Sequence, residues 1–151
     1  MKVNTKRLLI SVGIPLLLGF IVGMLSGSGK GYQGVIQPSF APPGWLFPVV
    51  WTILYILMGV GDYLVKESLG TDESLRIYKI QLGVNLIWSF IFFTFKWYLV
   101  AFLWILWLIY LVIRMIREFR VINKKAGNLQ IPYLIWIIFA AVLNFSIYIL
   151  N

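Results

Sequence analysis

The stretch Pro38-Ser39-Phe40-Ala41-Pro42-Pro43-Gly44-Trp45-Leu46-Phe47-Pro48-Val49-Val50-Trp51 sets prolines and aromatics at the head of an apolar run, where neither is needed merely to span a membrane. Pro42 and Pro43 bring a pre-set φ and no N–H, which suits a loop and the first turn of a helix, so a helix is predicted to start near Pro43. Pro48 then falls early inside that helix. Its missing N–H would free the Gly44 carbonyl and bend the first turn. A free carbonyl at membrane depth needs cover from a neighbouring helix, water or a bound molecule. With Trp45 and Trp51 beside the bend, the stretch reads as the mouth of a site.

Working outward, the 151 residues are 61% hydrophobic and only 12% charged, more apolar surface than a soluble domain of this size could hide. The chain reads as an all-α integral membrane protein. Its net charge of +8 does not point to nucleic acid, because the basic residues collect between apolar runs. The absence of Cys and His removes thiol chemistry, the commonest metal ligand and the usual general base, so no metal site is expected. Five spans are predicted, over about 8–25, 45–65, 77–95, 97–113 and 131–150, in one membrane domain covering 1–151. The first follows a basic flank as a signal peptide would, but it is long for one and lacks an A-x-A-like cleavage site, so it is read as a retained helix. Residues 27–41 form the longest link, read as a lid over the mouth. Eleven Lys and Arg lie on the side of the N-terminus against Lys30 and Lys96 opposite, which places the N-terminus in the cytoplasm and the first loop and C-terminus on the other side.

Helical spacing groups the polar residues of the spans. Trp51, Tyr55, Gly59 and Asp62 share one face of the second, Gln81, Asn85, Trp88 and Phe92 one face of the third, and Tyr133, Trp136, Ala140 and Asn144 one face of the fifth. The amides fit either interhelical hydrogen bonds or a polar pocket wall, and the tryptophans fit either membrane interfaces or that same wall. Asp62 has Lys66 one turn on, so an interfacial ion pair explains it more simply than a proton path. Pro15, Gly19 and Gly23 recur every four residues, which suits helix packing within the bundle or a dimer seam.

Pro38 to Trp51 with Tyr55, Met58 and Gly59, then Gln81, Leu82, Asn85, Trp88, Phe92 and Phe93, then Pro132 to Trp136 with Ala140, Leu143 and Asn144, together resemble the signature of the TspO/MBR family. These are the tryptophan-rich sensory and translocator proteins, or peripheral-type benzodiazepine receptors, and the likeness is to a bacterial member. It implies a five-helix bundle, usually a homodimer, in the cell's inner or plasma membrane. It also implies a pocket beneath the first loop for porphyrins, haem, sterols and benzodiazepine-receptor-type drugs. Carried over, that pocket takes Gly23, Ser26, Phe47, Pro48, Val50, Trp51, Trp88, Trp136, Ala140 and Leu143, and Tyr32, Tyr55, Asn85 and Phe92 complete the candidate ligand-binding set. Phe40 stands where the family usually has Trp, and Tyr148 lacks the following Lys or Arg of the proposed sterol motif.

A binding protein needs only an apolar pocket with flat aromatic walls and a few polar groups, and these are present. An enzyme needs a positioned acid, base, nucleophile or metal, and the inward faces offer amides, phenols and one paired carboxylate. A receptor for porphyrins and similar hydrophobic ligands is therefore the leading expectation, with no cofactor required and porphyrin or haem as the ligand. Two alternatives stay open. One is a light- and oxygen-dependent porphyrin-degrading enzyme, which by the family resemblance would use Trp51 and Trp136; the other is a transporter of tetrapyrroles or sterols.

Overall fold

A computed structural model describes residues 2–30 and 34–151, with the side chain of Lys30 left aside. Five helices are long and apolar enough to cross a membrane. α1 (Thr5–Ser26), α2 (Leu46–Leu69), α3 (Arg76–Ser89, continued by a π-helical turn Phe90–Thr94), α4 (Tyr98–Ile122) and α6 (Ile131–Leu150) form the bundle, and the short α5 (Lys124–Asn128) links the last two. The chain is an integral membrane protein. No strand occurs among the described residues.

Local chemistry sets the ends. The Asn4 side chain caps α1 by accepting from the Arg7 N–H at 3.1 Å, and Gly27 closes it at φ 82°, a conformation that costs glycine little. α2 starts at Leu46 rather than near Pro43, because the prolines form a preceding turn in which Leu46 N–H donates to the Pro43 carbonyl at 3.0 Å. This corrects the expectation for Pro48. It lies in the first turn, where no intrahelical donor is required, so the Gly44 carbonyl does not become a gap inside the helix. α4 also runs past the expected end at Ile113. Arg114, Arg117 and Arg120 are exposed, while Met115, Ile116 and Phe119 keep the buried face going at helical spacing.

The core lies among α2, α3, α4 and α6, and a chain of buried hydrogen bonds ties it. Tyr55 OH donates to Asn85 Oδ1 at 2.8 Å, Asn85 Nδ2 to Tyr133 OH at 2.7 Å, and Tyr133 OH to Gln81 Oε1 at 2.9 Å. Each bond keeps a polar group satisfied where the bilayer supplies no water. The amides expected on the inward faces are thus interhelical links.

α1 packs on α2 through absent side chains and a hydrogen bond from an ion pair within α2. A Cβ on Gly59 would come within 2.6 Å of the Ser11 carbonyl oxygen, and the Tyr55 ring fills the place where a Cβ on Gly19 would go. Pro15 is buried and Gly19 faces Tyr55, so that part of the small-residue stripe serves packing within the bundle. Lys66 Nζ lies 3.0 Å from Asp62 and also donates to Ser11 Oγ at 3.0 Å. The expected ion pair forms, and the neighbouring helices bury it: Asp62 is 2% and Lys66 4% exposed.

Candidate functional site

A cleft of about 710 Å³ separates the C-terminal half of α1 from the start of α2, within the range of small-molecule sites. Gly13, Gly19 and Gly23 withhold side chains from the α1 wall. The opposite wall is Phe47, Pro48, Trp51, Thr52 and Tyr55, because the first turns of α2 point these residues at α1, and Ser89 and Phe93 of α3 close the back. None of the described lining residues carries a formal charge. The lining hydroxyls are mostly engaged: Ser28 Oγ donates to the Gly23 carbonyl at 3.1 Å, Thr52 Oγ1 to the Pro48 carbonyl at 2.7 Å, and Tyr55 OH to Asn85. That arrangement suits holding a flat apolar body rather than moving protons.

The expected site residues fall into two layers. Gly23, Phe47, Pro48, Trp51 and Tyr55 line the cleft. Behind them, Trp88 is buried, stacks on Phe92 at 5.0 Å and donates from Nε1 to Asn144 Oδ1 at 3.2 Å. Asn85, Phe92, Ala140 and Leu143 are buried in the core, and Val50 is half-buried against it. Ser26 is buried where α1 ends, its carbonyl accepting from Thr94 Oγ1 at 2.8 Å. Trp136 is half-buried behind Phe47, ring centroids 5.4 Å apart, and its buried Nε1 has no partner among the described residues. Tyr32 lies outside the described residues.

Sequence reasoning missed the α1 wall beyond Gly23, namely Gly13, Leu16, Leu17, Gly19, Phe20 and Met24. The four-residue recurrence of Gly19 and Gly23 was its only sign, and helix packing explained that equally well. Among the described residues no group of three or more His, Cys, Asp or Glu comes together to hold a metal.

Comparison with known proteins accounts for this architecture. Residues 11–150 match the TspO/MBR family. The chain is 37% identical to the tryptophan-rich protein TspO of Archaeoglobus fulgidus over 98% of its own length and 99% of that protein. It is 35% identical to the Chlorobaculum tepidum protein of the same name, over 100% of this chain and 99% of that one. The human translocator protein shares 34% identity, covering 87% of this chain and 82% of the human one. A match across nearly the whole membrane domain, with relatives of similar length, shows that the chain belongs to the TspO/MBR family.

Proposed function

We propose that the protein is a membrane receptor for porphyrins and similar flat hydrophobic ligands, held in the cleft between α1 and α2. The observation that carries this reading is the 710 Å³ space faced by the aromatic rings of Phe47, Trp51, Tyr55 and Phe93. Aromatic faces bury large apolar area and stack on a macrocycle at little conformational cost. Trp51 Nε1 has no hydrogen-bond partner among the described residues, so it serves as the polar handle that orients the ligand. Iron adds little. Tyr55 and Tyr133 already donate their hydroxyls, Met58 is fully buried, and among the described residues Met24 on the α1 wall is the one thioether lining the cleft. The loop end of the bundle faces away from the cytoplasm, following the excess of Lys and Arg at the other end.

The test is an optical titration of purified protein with a metal-free porphyrin, in the dark and in light. A saturable Soret shift in the dark, with haem binding no more than about 100-fold tighter, is the expected result. Bleaching to a new product in light alone would favour the degradative alternative. No shift and no bleaching would end both readings.

A further inference from the structure

The cleft opens along the flank of the bundle, between α1 and the start of α2. Its rim includes Leu17, Phe20 and Met24 of α1, which are 60%, 64% and 63% exposed, together with exposed Pro48 and Thr52 of α2. In an integral membrane protein, large apolar side chains exposed along the flank of a spanning helix face lipid. The loop end is tied down instead. Asn151 pairs with both backbone groups of Ile36, at 3.1 and 2.9 Å, and Phe40 packs edge-on against Phe139 of α6 at 6.4 Å.

We propose that the cleft is loaded from the bilayer, by a flat hydrophobic ligand partitioned into the lipid, and that the C-terminal half of α1 is the gate, hinged at Pro15. The ligand class rests on the receptor reading above; the gate rests on α1 itself.

Three features of α1 support the hinge. Pro15 lies inside the helix and has no N–H, so the Ser11 carbonyl loses its intrahelical donor, and helices bend where that bond is missing. Directly below the hinge the helix is fixed, because Ser11 and Val12 press their backbones on Gly59 and Ser11 Oγ is held by Lys66. Above it, no residue between Pro15 and Ser26 is buried: Leu16 and Gly19 still touch the core and the Tyr55 ring, but the rest of the inner side looks into the cleft. Few buried contacts mean a low local free energy of opening.

A latch stands at the far end. Thr94, in the π-helical turn that extends α3, donates from Oγ1 to the Ser26 carbonyl at 2.8 Å. π turns inside helices recur at functional positions, and this one delivers a hydroxyl to the tip of the gate. Closed, the latch holds α1 over the cleft; broken, the half-helix can swing out about Pro15 and expose Ser89 and Phe93 at the back of the space.

Because the chain has no cysteine, Ser89→Cys reports on the back of the cleft alone, whatever ligand the protein takes. In liposomes, an N-alkyl maleimide dissolved in the bilayer should label this cysteine at least 10-fold faster than a charged, water-soluble maleimide. Adding Pro15→Ala, which returns an N–H to the Ser11 carbonyl, should slow bilayer labelling at least threefold. Adding Thr94→Val, which removes the latch, should speed it by a similar factor. The two changes push in opposite directions, so damage to folding cannot imitate both. Equal labelling by the two reagents, or rates that neither change moves, would overturn the proposal. Failure of the porphyrin titration with this labelling pattern intact would instead remove the receptor reading and leave the gate standing.

Discussion

The two halves of α1 differ in composition and in surroundings. From Asn4 to Val12 the helix is held at every turn: the Asn4 N–H donates to Tyr63 OH at 3.1 Å, Arg7 reaches Glu67 and Asp72 at 2.7 Å each, and Ser11 holds Lys66 at 3.0 Å beside the Gly59 contact. From Leu16 to Leu25 nothing is buried, and the Thr94 latch is the tie at the end. The polar side chains Asn4, Arg7 and Ser11 of the first half make these ties, and residues 16–25 have no polar side chain to make any. Where a polar or missing side chain on α2 meets a small polar partner on α1, the helices lock; where α1 offers glycines opposite the aromatics of α2, space remains.

The most damaging way to break this contrast is Lys66→Met. It leaves Asp62 charged and buried without its partner, a change that typically costs about 3–5 kcal/mol. Thermal unfolding in detergent should show the loss, and Asp62→Leu with Lys66→Met should recover much of it, because an apolar pair needs no compensation. A single variant as stable as the parent would mean that the pair does not clamp α1.

Next comes the pair Gly59→Ala and Gly13→Ala. A methyl at 59 meets the Ser11 carbonyl and the Val12 backbone, neither of which can turn aside, so a loss of about 1–3 kcal/mol is expected. At Gly13 nothing lies within 4 Å, and the change should be neutral or stabilising by up to about 1 kcal/mol. Similar losses at both positions would show that α1 dislikes any added side chain, and the distinction between its halves would fall.

Much of the bundle was legible because hydrophobic length and helical spacing are local properties. The five spans and the inward faces carrying Tyr55, Asn85, Gln81 and Tyr133 follow from them, as does the Asp62–Lys66 pairing. What spacing could not show was burial. Asp62 and Lys66 at one-turn spacing look alike on an exposed or a packed face, and only the approach of Ser11 across the helix pair shows them buried. The same limit separates Trp51 from Trp136. Both lie on inward faces, yet which of the two borders open space depends on Phe47, which comes between Trp136 and the cleft. The helix of α4 continues past the expected span end at Ile113, because exposed arginines leave the opposite face free to stay buried.

That separation of the two indoles gives a smaller effect to measure. Trp51→Phe removes aromatic area and the free N–H at the cleft wall and should weaken porphyrin binding about 3- to 10-fold, in keeping with about 0.5–1.5 kcal/mol for an aromatic contact. Trp136→Phe acts through Phe47 and should change affinity by no more than about twofold. The dark titration checks both. Equal losses would mean that Phe47 moves aside and that both rings reach the ligand.

The smallest effect concerns the ties of α1 outside the bundle core. The Arg7 guanidinium beside Asp72 holds that carboxyl below its ordinary range, chiefly through the hydrogen bond, and Lys79 does the same for Glu73. A carboxyl whose folded pKa is depressed lends stability that is complete above its unfolded value and disappears as pH falls through its folded value. Asp72→Asn should therefore melt slightly below the parent at neutral pH, and the gap should shrink on acidification to about pH 3. Because the Asp72 side chain is 84% exposed, about 1 M salt should shrink the gap as well, while Arg7 keeps its shielded contact with Glu67. A gap that persists unchanged at low pH and in high salt would show that Asp72 supports the loop between α2 and α3 by its backbone turn, leaving Glu67 as the partner that anchors the first turn of α1.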